Sequence, residues 1–110
     1  MPDGAEPPAM LVVHATFPID PEQREEALDR AADLVEATRE EPGVIEYSAV
    51  TDLVESDLLR FVEVYEDEDA FAAHVESDHF QAFEAKLPEL LGGEPDVMRY
   101  EVSDASEVEV

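Results

Sequence analysis

The chain has 110 residues, 45% of them apolar and none a cysteine, and its 30 acidic residues against six basic ones give a net charge of −24. This length allows one domain with one core, and the lack of cysteine excludes disulfides, thiolate nucleophiles and cysteine-ligated metals. So few basic side chains exclude nucleic acid as a partner, and because no apolar stretch approaches 18 residues we expect no membrane partner and a cytoplasmic location.

The first half of the chain predicts a strand and then a helix. Residues 1–9 are rich in proline and acidic side chains, which predicts a disordered leader. The apolar, β-branched run at 10–17 predicts the first strand. Asp20 is placed to cap a helix with Pro21 at its first position, and a glutamine three residues after Asp20 would complete a capping box. The apolar stripe of this helix comprises Leu28, Ala31, Ala32, Val35 and Thr38.

The middle of the chain predicts two strands and two helical pieces. Residues 44–51 and 58–65 both alternate in side-chain character, and the short polar connection between them predicts a hairpin. Asp67 is placed to cap a short second helix, and Ser77 to start a further helical piece. Pro88 is expected to kink or end that piece.

The predicted elements form one domain. Residues 97–102 predict the last strand, and 103–110 predict an acidic tail. The resulting order, β-α-β-β-α-β, is that of a ferredoxin-like α+β sandwich with a four-stranded antiparallel sheet. We therefore predict a leader at 1–9, one ferredoxin-like domain at 10–102 and a tail at 103–110.

Apolar side chains on both faces of two strands predict a homodimer. Two helices can cover only one face of a four-stranded sheet, and a solvated face should carry polar side chains at every second position. On the first strand, Leu11 and Val13 point to one face of the sheet and Val12 points to the other. On the third strand, Phe61 and Val62 likewise point to opposite faces. Burial of the second face against another copy is favourable. The alternative is a monomer that leaves its valines exposed.

The charge balance predicts a protein adapted to high salt. Many acids and a single lysine, Lys86, are typical of proteins from extreme halophiles. Repulsion between acids is felt at 0.1 M salt, where the Debye length is about 10 Å, and is nearly silenced at 1 M, where it is about 3 Å. The alternative is an acidic protein of a mesophile, although such proteins usually keep several lysines.

Two side chains are candidates for acid–base chemistry. His74 lies on the apolar stripe of the second helix, as either a core residue or a site residue. Glu63 lies between Phe61 and Tyr65 on one strand face, where burial would make it find a partner or take up a proton. Such carboxyls cluster at functional sites, although structural pairs exist too. We predict His74 and Glu63 as catalytic residues.

The other two histidines carry weaker signals. His79, near the start of the last helical piece, is either a partly exposed residue beside a cap or a site residue, and His14 on the first strand is predicted to pack or to lie in an interface. A helix break separates His74 from His79, and the zinc motif of two histidines four apart with a glutamate is absent. We predict no metal. No Gly-rich phosphate loop or nucleophile elbow is present, so we also predict no organic cofactor.

The segment 61–80 resembles the signature region of the antibiotic biosynthesis monooxygenase family, and in particular its small quinol monooxygenases. The resemblance spans about residues 10–102 and includes the Pro-Gly pair before the second strand. The matching signature elements are Glu63 with Tyr65, His74, and the run that contains Ser77, His79 and Phe80.

The resemblance implies a dimeric α+β barrel with a pocket between sheet and helices. It implies, for some members, oxidation of electron-rich phenols or quinols by O2 with neither metal nor flavin. The residues predicted to bind a flat substrate are Phe61, Tyr65, Phe71, His79 and Phe80. Some members have tryptophan in place of Tyr65. The haem-degrading branch relies on an asparagine and a tryptophan, and this chain contains neither, which argues against haem breakdown.

Three functions stay open on the sequence. The first is a cofactor-independent monooxygenase in which His74 takes a proton from a quinol while Glu63 orients it or holds a proton. The second is an isomerase or detoxifying enzyme for a small carbonyl or signal molecule, and the third is a ligand-binding dimer without activity. The fold does not choose among them. The net charge of the chain opposes formation of a further anion in the pocket. Arg60 or Arg99 could offset that charge locally, but the sequence does not show whether either lies near the pocket.

Overall fold

A computed structural model of the protein describes residues 10–110, so the predicted leader at 1–9 lies outside the described residues. Within that range a short 3-10 turn, Pro21–Gln23, precedes the first α-helix. No helix in the described part is both long and apolar enough to cross a bilayer. The strands are β1 Met10–Pro18, β2 Val44–Thr51, β3 Leu58–Tyr65 and β4 Asp96–Val102, and the helices are α1 Arg24–Thr38, α2 Glu68–Val75 and α3 Asp78–Leu90.

The four strands form one antiparallel sheet in the order β2-β3-β1-β4, which confirms the predicted ferredoxin-like α+β fold. The register places functional candidates side by side. Val13 on β1 pairs with Glu63 on β3 and with Arg99 on β4. Glu63 in turn pairs with Tyr47 on β2. Directly paired residues point to the same face of a sheet, so these four side chains form one row beneath the helices.

The hydrophobic core lies between the sheet and the helices. On β1, Leu11 and Val13 are buried while His14 is exposed, so the helices cover the face that carries the odd-numbered side chains. The α1 stripe is shifted from the predicted one, because Leu28 is half-buried and Ala32 is exposed. The buried residues of α1 are Ala27, Ala31, Leu34, Val35 and Thr38.

Three local details differ from the sequence predictions or go beyond them. Asp20 caps the helical segment with Pro21 at its first position, but the segment starts as a 3-10 turn. The Asp20 N–H donates to the Leu90 carbonyl, so the Gln23 side chain completes no capping box. Pro88 does not end α3, since a proline in the last turn removes only one hydrogen bond and the helix continues to Leu90. A β-bulge at the start of β2 turns Ile45 outward, where it is 57% exposed.

The opposite face of the sheet is apolar and open. On β4, Met98 is 48% and Tyr100 44% exposed, and Val62 and Val64 on β3 are half-buried. The exposed His14 places its ring against the edge of Tyr100, with 5.5 Å between ring centroids. No helix of the described chain covers these side chains. The predicted apolar second face is therefore present, and its burial by another copy stays a prediction.

Candidate active site

A cavity of about 280 Å³ lies between the helix-covered face of the sheet and helices α2 and α3. This volume is near the lower end for ligand pockets and suits a ligand of one or two rings. Most of the wall is apolar, and the side chains on it that carry polar groups are Tyr47, Glu63, His74 and Glu84. The aromatic side chains on the wall are Phe17, Tyr47, Phe61, Phe71, Phe80 and Phe83.

His74 is fixed in the cavity wall by the caps at both ends of α2. The Asp67 carboxylate accepts a hydrogen bond from the Ala70 N–H at 2.9 Å and starts the helix. At its other end, the Ser77 hydroxyl donates to the His74 carbonyl at 2.7 Å and accepts from the Phe80 N–H at 3.2 Å, which starts α3. The two caps fix the short helix that carries His74, and the residue is only 1% exposed.

Glu41 sets the tautomer of His74. The His74 Nδ1 lies 2.9 Å from the Glu41 Oε2, so Nδ1 carries the hydrogen and Nε2 carries a lone pair. That Nε2 is buried and has no hydrogen-bond partner among the described residues. Burial lowers the pKa of His74 more than the Glu41 carboxylate raises it, which favours the neutral imidazole. The cavity therefore contains a neutral imidazole with a free basic nitrogen.

Gly43 brings Glu41 to this position. Its φ of +90° is one that residues with side chains rarely adopt, and a Cβ at this position would lie 2.7 Å from the Ala70 Cβ on α2. The Gly43 carbonyl accepts a hydrogen bond from the Glu66 N–H at 2.9 Å. The turn between α1 and β2 thus packs directly on the start of α2, with Glu41 two residues before the glycine.

A second imidazole shares the Glu41 carboxylate. The His79 Nε2 lies 2.5 Å from the Glu41 Oε2. The atoms of Glu41, His74 and His79 that could bind a metal lie within 4.8 Å of one another. Zinc accepts two histidines and a carboxylate, so these residues could hold a metal. Around a tetrahedral zinc, however, neighbouring donor atoms lie about 3.3–3.5 Å apart. The shorter contacts here fit two hydrogen bonds to one carboxylate.

Glu63 is a buried carboxyl on the sheet side of the cavity. Its Oε1 accepts a hydrogen bond from the Tyr65 hydroxyl at 2.6 Å. Burial raises the pKa of Glu63 to about 7, against the lowering effect of that hydrogen bond. Burial also raises the pKa of both Tyr65 and Tyr47, so their hydroxyls stay protonated. Glu63 can therefore hold or release a proton near neutral pH.

The raised pKa of Glu63 predicts a pH-dependent difference in stability between the native protein and Glu63→Gln. The folded state holds the proton of Glu63 more tightly than the unfolded chain does. The protonated carboxyl therefore stabilises the fold fully below about pH 4.5, and this stabilisation is lost as the pH rises to about 7. The free energy of unfolding of Glu63→Gln minus that of the native protein should increase by about 3 kcal/mol across this window. Denaturant titrations in molar KCl at several pH values measure it.

The hydroxyls of Tyr65 and Tyr47, which adjoin Glu63, stay protonated throughout the window and add no charge to this comparison. The exposed Glu89 gives a matched control, since Glu89→Gln removes the same charge outside the cavity. Glu89→Gln should not reproduce the increase that is expected for Glu63→Gln. Parallel curves for the native protein and Glu63→Gln would show that folding does not raise the pKa of Glu63.

The structure brings most of the predicted site residues together. His74, Glu63, Phe61, Phe71 and Phe80 all line the cavity. The other two do not lie on its wall. Tyr65 is fully buried behind it, in contact with Glu63 and with the ring of Phe71, whose centroid lies 5.2 Å away. His79 lines a separate groove with Arg30 and Asp33.

Sequence reasoning missed Glu41 and Glu84. Glu41 is one of many acids in the chain and is 33 residues from His74, so no local spacing connects the two. The signal that could have found it is its place directly before the Pro-Gly turn, because such a turn fixes the neighbouring side chains. Glu84 lies one helical turn after Phe80, which puts it on the same face of α3.

Comparison with known proteins identifies the family. The profile of the family described as "Antibiotic biosynthesis monooxygenase" matches residues 10–86, which is more than half of the chain. The chain belongs to this family. Two curated relatives are similar over most of its length. "Putative monooxygenase YcnE" of Bacillus subtilis is 39% identical over 95 residues, covering 86% of this chain and all of that protein. The uncharacterized protein sll1783 of Synechocystis is 30% identical over 101 residues, covering 92% and 67% of the two chains.

Solved structures share the fold of this antibiotic biosynthesis monooxygenase family member. A conserved protein from Methanosarcina mazei superposes with a TM-score of 0.81 at 29% identity, covering 86% of this chain and 93% of that one. Protein SO0527 of Shewanella oneidensis superposes with a TM-score of 0.79, also at 29% identity, covering 84% and 89%. The sheet and helices that enclose the cavity are thus a shared architecture, and the function has to be argued from the side chains.

Proposed function

We propose that this member of the antibiotic biosynthesis monooxygenase family is a cofactor-independent monooxygenase that oxidises a small quinol or phenol with O2. The observation that supports this most is the buried Nε2 of His74, which has a lone pair and no partner among the described residues and belongs to a side chain that lines the cavity. A buried polar atom without a partner in the protein is unusual. A substrate hydroxyl is the partner that this atom needs.

The first step is proton transfer from the substrate hydroxyl to the His74 Nε2. The resulting imidazolium keeps its Nδ1 hydrogen bond to the Glu41 carboxylate, which stabilises the positive charge. The proton stays inside the cavity, so the quinolate and the imidazolium form an ion pair and the cavity gains no net charge. This answers the objection that a chain with a net charge of −24 disfavours another anion.

The electron-rich quinolate then reduces O2. One oxygen atom forms a bond to a ring carbon and replaces its hydrogen, and the other leaves as water with two hydrogens from the substrate. A quinol plus O2 gives a hydroxyquinone plus water, so the substrate supplies all four electrons. No other reductant is needed. The aromatic side chains of the wall, among them Phe61, Phe71 and Phe80, would hold the flat ring and exclude water.

An isomerase is the second candidate, and Glu63 favours it. A carboxyl with a pKa of about 7 and a neutral imidazole on one cavity wall can give and take protons in the same turnover. That pairing suits movement of a proton next to a carbonyl as well as it suits quinol chemistry. An isomerase would convert its substrate without consuming O2, so the two candidates differ in a direct measurement.

We also propose that the protein works as a homodimer in a cytoplasm of high salt. The apolar outer face, with Tyr100 and Met98 about half exposed, supports the dimer because a second copy of the same face is self-complementary. The 30 acidic residues support the salt requirement, since the screening length falls to about 3 Å at 1 M salt.

A panel of small quinols assayed with an oxygen electrode in molar KCl tests the proposed activity. We expect O2 uptake that depends on the protein and saturates with at least one quinol. Conversion of a substrate without O2 uptake would replace the monooxygenase by the isomerase. Saturable binding without conversion would leave a ligand-binding protein. The high salt matters, because unfolding in dilute buffer would abolish activity of any kind.

A further inference from the structure

The cavity contains acids but no lysine or arginine. The wall residues that can carry a charge near neutral pH are Glu63, His74 and Glu84, and among the described residues no basic side chain other than the imidazole lines the cavity. Glu84 is exposed on α3 and therefore lies at the rim, and Glu63 lies inside. A ligand in the cavity thus lies beside one carboxyl group, with a second carboxylate at the rim.

The two arginines that could offset these acids do not do so. Arg60 points to the opposite face of the sheet and forms an ion pair with Asp52 at 2.7 Å. Arg99 lies on the cavity side, with its guanidinium carbon 5.7 Å from the centroid of the Phe71 ring. Its charge is already opposed by two carboxylates, because it forms ion pairs with Glu68 and Glu101. Neither arginine offers an uncompensated positive charge to a ligand.

The remaining surfaces of the cavity attract positive charge. The faces of aromatic rings are negative and bind organic cations, and Phe80 and Phe83 line the cavity, whereas Phe71 already has Arg99 over its ring. The Coulomb interaction of a carboxylate with a charged ligand at 6–8 Å is about 2 kcal/mol at an effective dielectric constant near 20. Such an interaction at the rim changes the relative affinity of anions and cations by a factor of ten or more.

We propose that the cavity selects neutral or cationic aromatic substrates, such as a quinol with an aliphatic amine, and rejects carboxylated or phosphorylated ones, with Glu84 as the specificity-determining residue. This proposal rests on the proposed function for the choice of quinols as ligands. The selection itself follows from the charges on the wall. It also agrees with the ion-pair mechanism, in which the cavity supplies no cation other than the imidazolium of His74.

Three hydroquinones of nearly equal size test the proposal. They carry an ethyl, an aminoethyl or a carboxymethyl group, so they differ mainly in charge. Affinity is measured without O2 by titration calorimetry, and kcat/KM is measured with O2, both at 0.5 M and 3 M KCl. The native protein should prefer the ethyl and aminoethyl compounds to the carboxymethyl compound by at least about tenfold at 0.5 M, and by less at 3 M because of screening.

A change of charge at the rim of the cavity should change the order in which the protein prefers the three hydroquinones. In Glu84→Lys we expect the carboxymethyl compound to gain about tenfold on the aminoethyl compound in both affinity and kcat/KM. Glu89→Lys makes the same charge change on the same helix, at an exposed residue outside the cavity, and should keep the native order. Equal shifts in the two variants would trace the effect to net charge and overturn the role of Glu84.

The outcomes separate this proposal from the proposed function. Binding in the expected order without O2 uptake would support the charge selection and contradict the monooxygenase. O2 uptake with no preference, or with preference for the carboxymethyl compound, would overturn the charge selection and leave the monooxygenase in place. Absence of binding by all three compounds would contradict both.

Discussion

Replacement of His74 by glutamine should lower kcat/KM for the preferred quinol by about 10²–10⁴-fold, the usual effect of removing a general base. Glutamine has a similar length and can still donate a hydrogen bond to Glu41, but its amide has no basic nitrogen. KM should change little, since the aromatic wall that holds the ring is intact. Initial rates of O2 uptake in molar KCl measure the loss, and thermal unfolding shows that the variant is folded.

Glu41→Gln should have a smaller effect, because Glu41 acts through His74 and does not touch the substrate. Loss of a carboxylate that orients a functional histidine commonly costs about 10–100-fold, and the loss should fall on kcat. Glu36→Gln removes the same charge from an exposed position on α1 and should leave the rate unchanged. Retention of activity within threefold in His74→Gln would rule out His74 as the base.

Val62→Asp should convert the proposed homodimer to a monomer. Val62 lies at the middle of the outer face, on a central strand, and is half-buried even in the single chain. A dimer would bury this carboxylate in an apolar interface, with His14 on the paired strand as a polar neighbour on that face, at a cost of several kcal/mol. We therefore expect the dissociation constant of the dimer to rise by at least about 100-fold. Sedimentation velocity in 3 M KCl measures the change from twice 12.2 kDa to 12.2 kDa.

The matched control for this prediction is Val54→Asp. Val54 is 90% exposed in the connection between β2 and β3, so the same substitution there should leave the dimer intact. Secondary structure by circular dichroism should be native in both variants, because residue 62 is on the side of the sheet away from the core. Sedimentation of the native protein as a single species of 12.2 kDa would contradict the proposed dimer itself.

The elements of the fold were predictable because their signals are local. Alternation along β3 placed Phe61 and Glu63 on one face and Val62 on the other, and the structure has the same arrangement. The caps Asp67 and Ser77 start α2 and α3 as predicted. Since each of these signals lies within a few residues of the element that it controls, no knowledge of the tertiary structure was needed.

The site was predictable only in part, because its main contacts are not local. Glu41 meets His74 and His79 through a turn whose position depends on the positive φ of Gly43, and no pattern along the chain indicates that approach. Arg99 faces the cavity side while Arg60 does not, which depends on strand order and register. Sequence spacing separated His74 from His79, yet the turn between α2 and α3 places both beside one carboxylate.

The proposed chemistry is tested most directly by oxidation of the preferred quinol under ¹⁸O2, with rapid quenching and mass spectrometry of the product. A monooxygenase that uses only this protein and its substrate transfers one atom of O2 to the ring, so we expect one ¹⁸O in each hydroxyquinone and one O2 consumed per quinol. Product that forms at the same rate without O2, or that carries no ¹⁸O, would contradict the account.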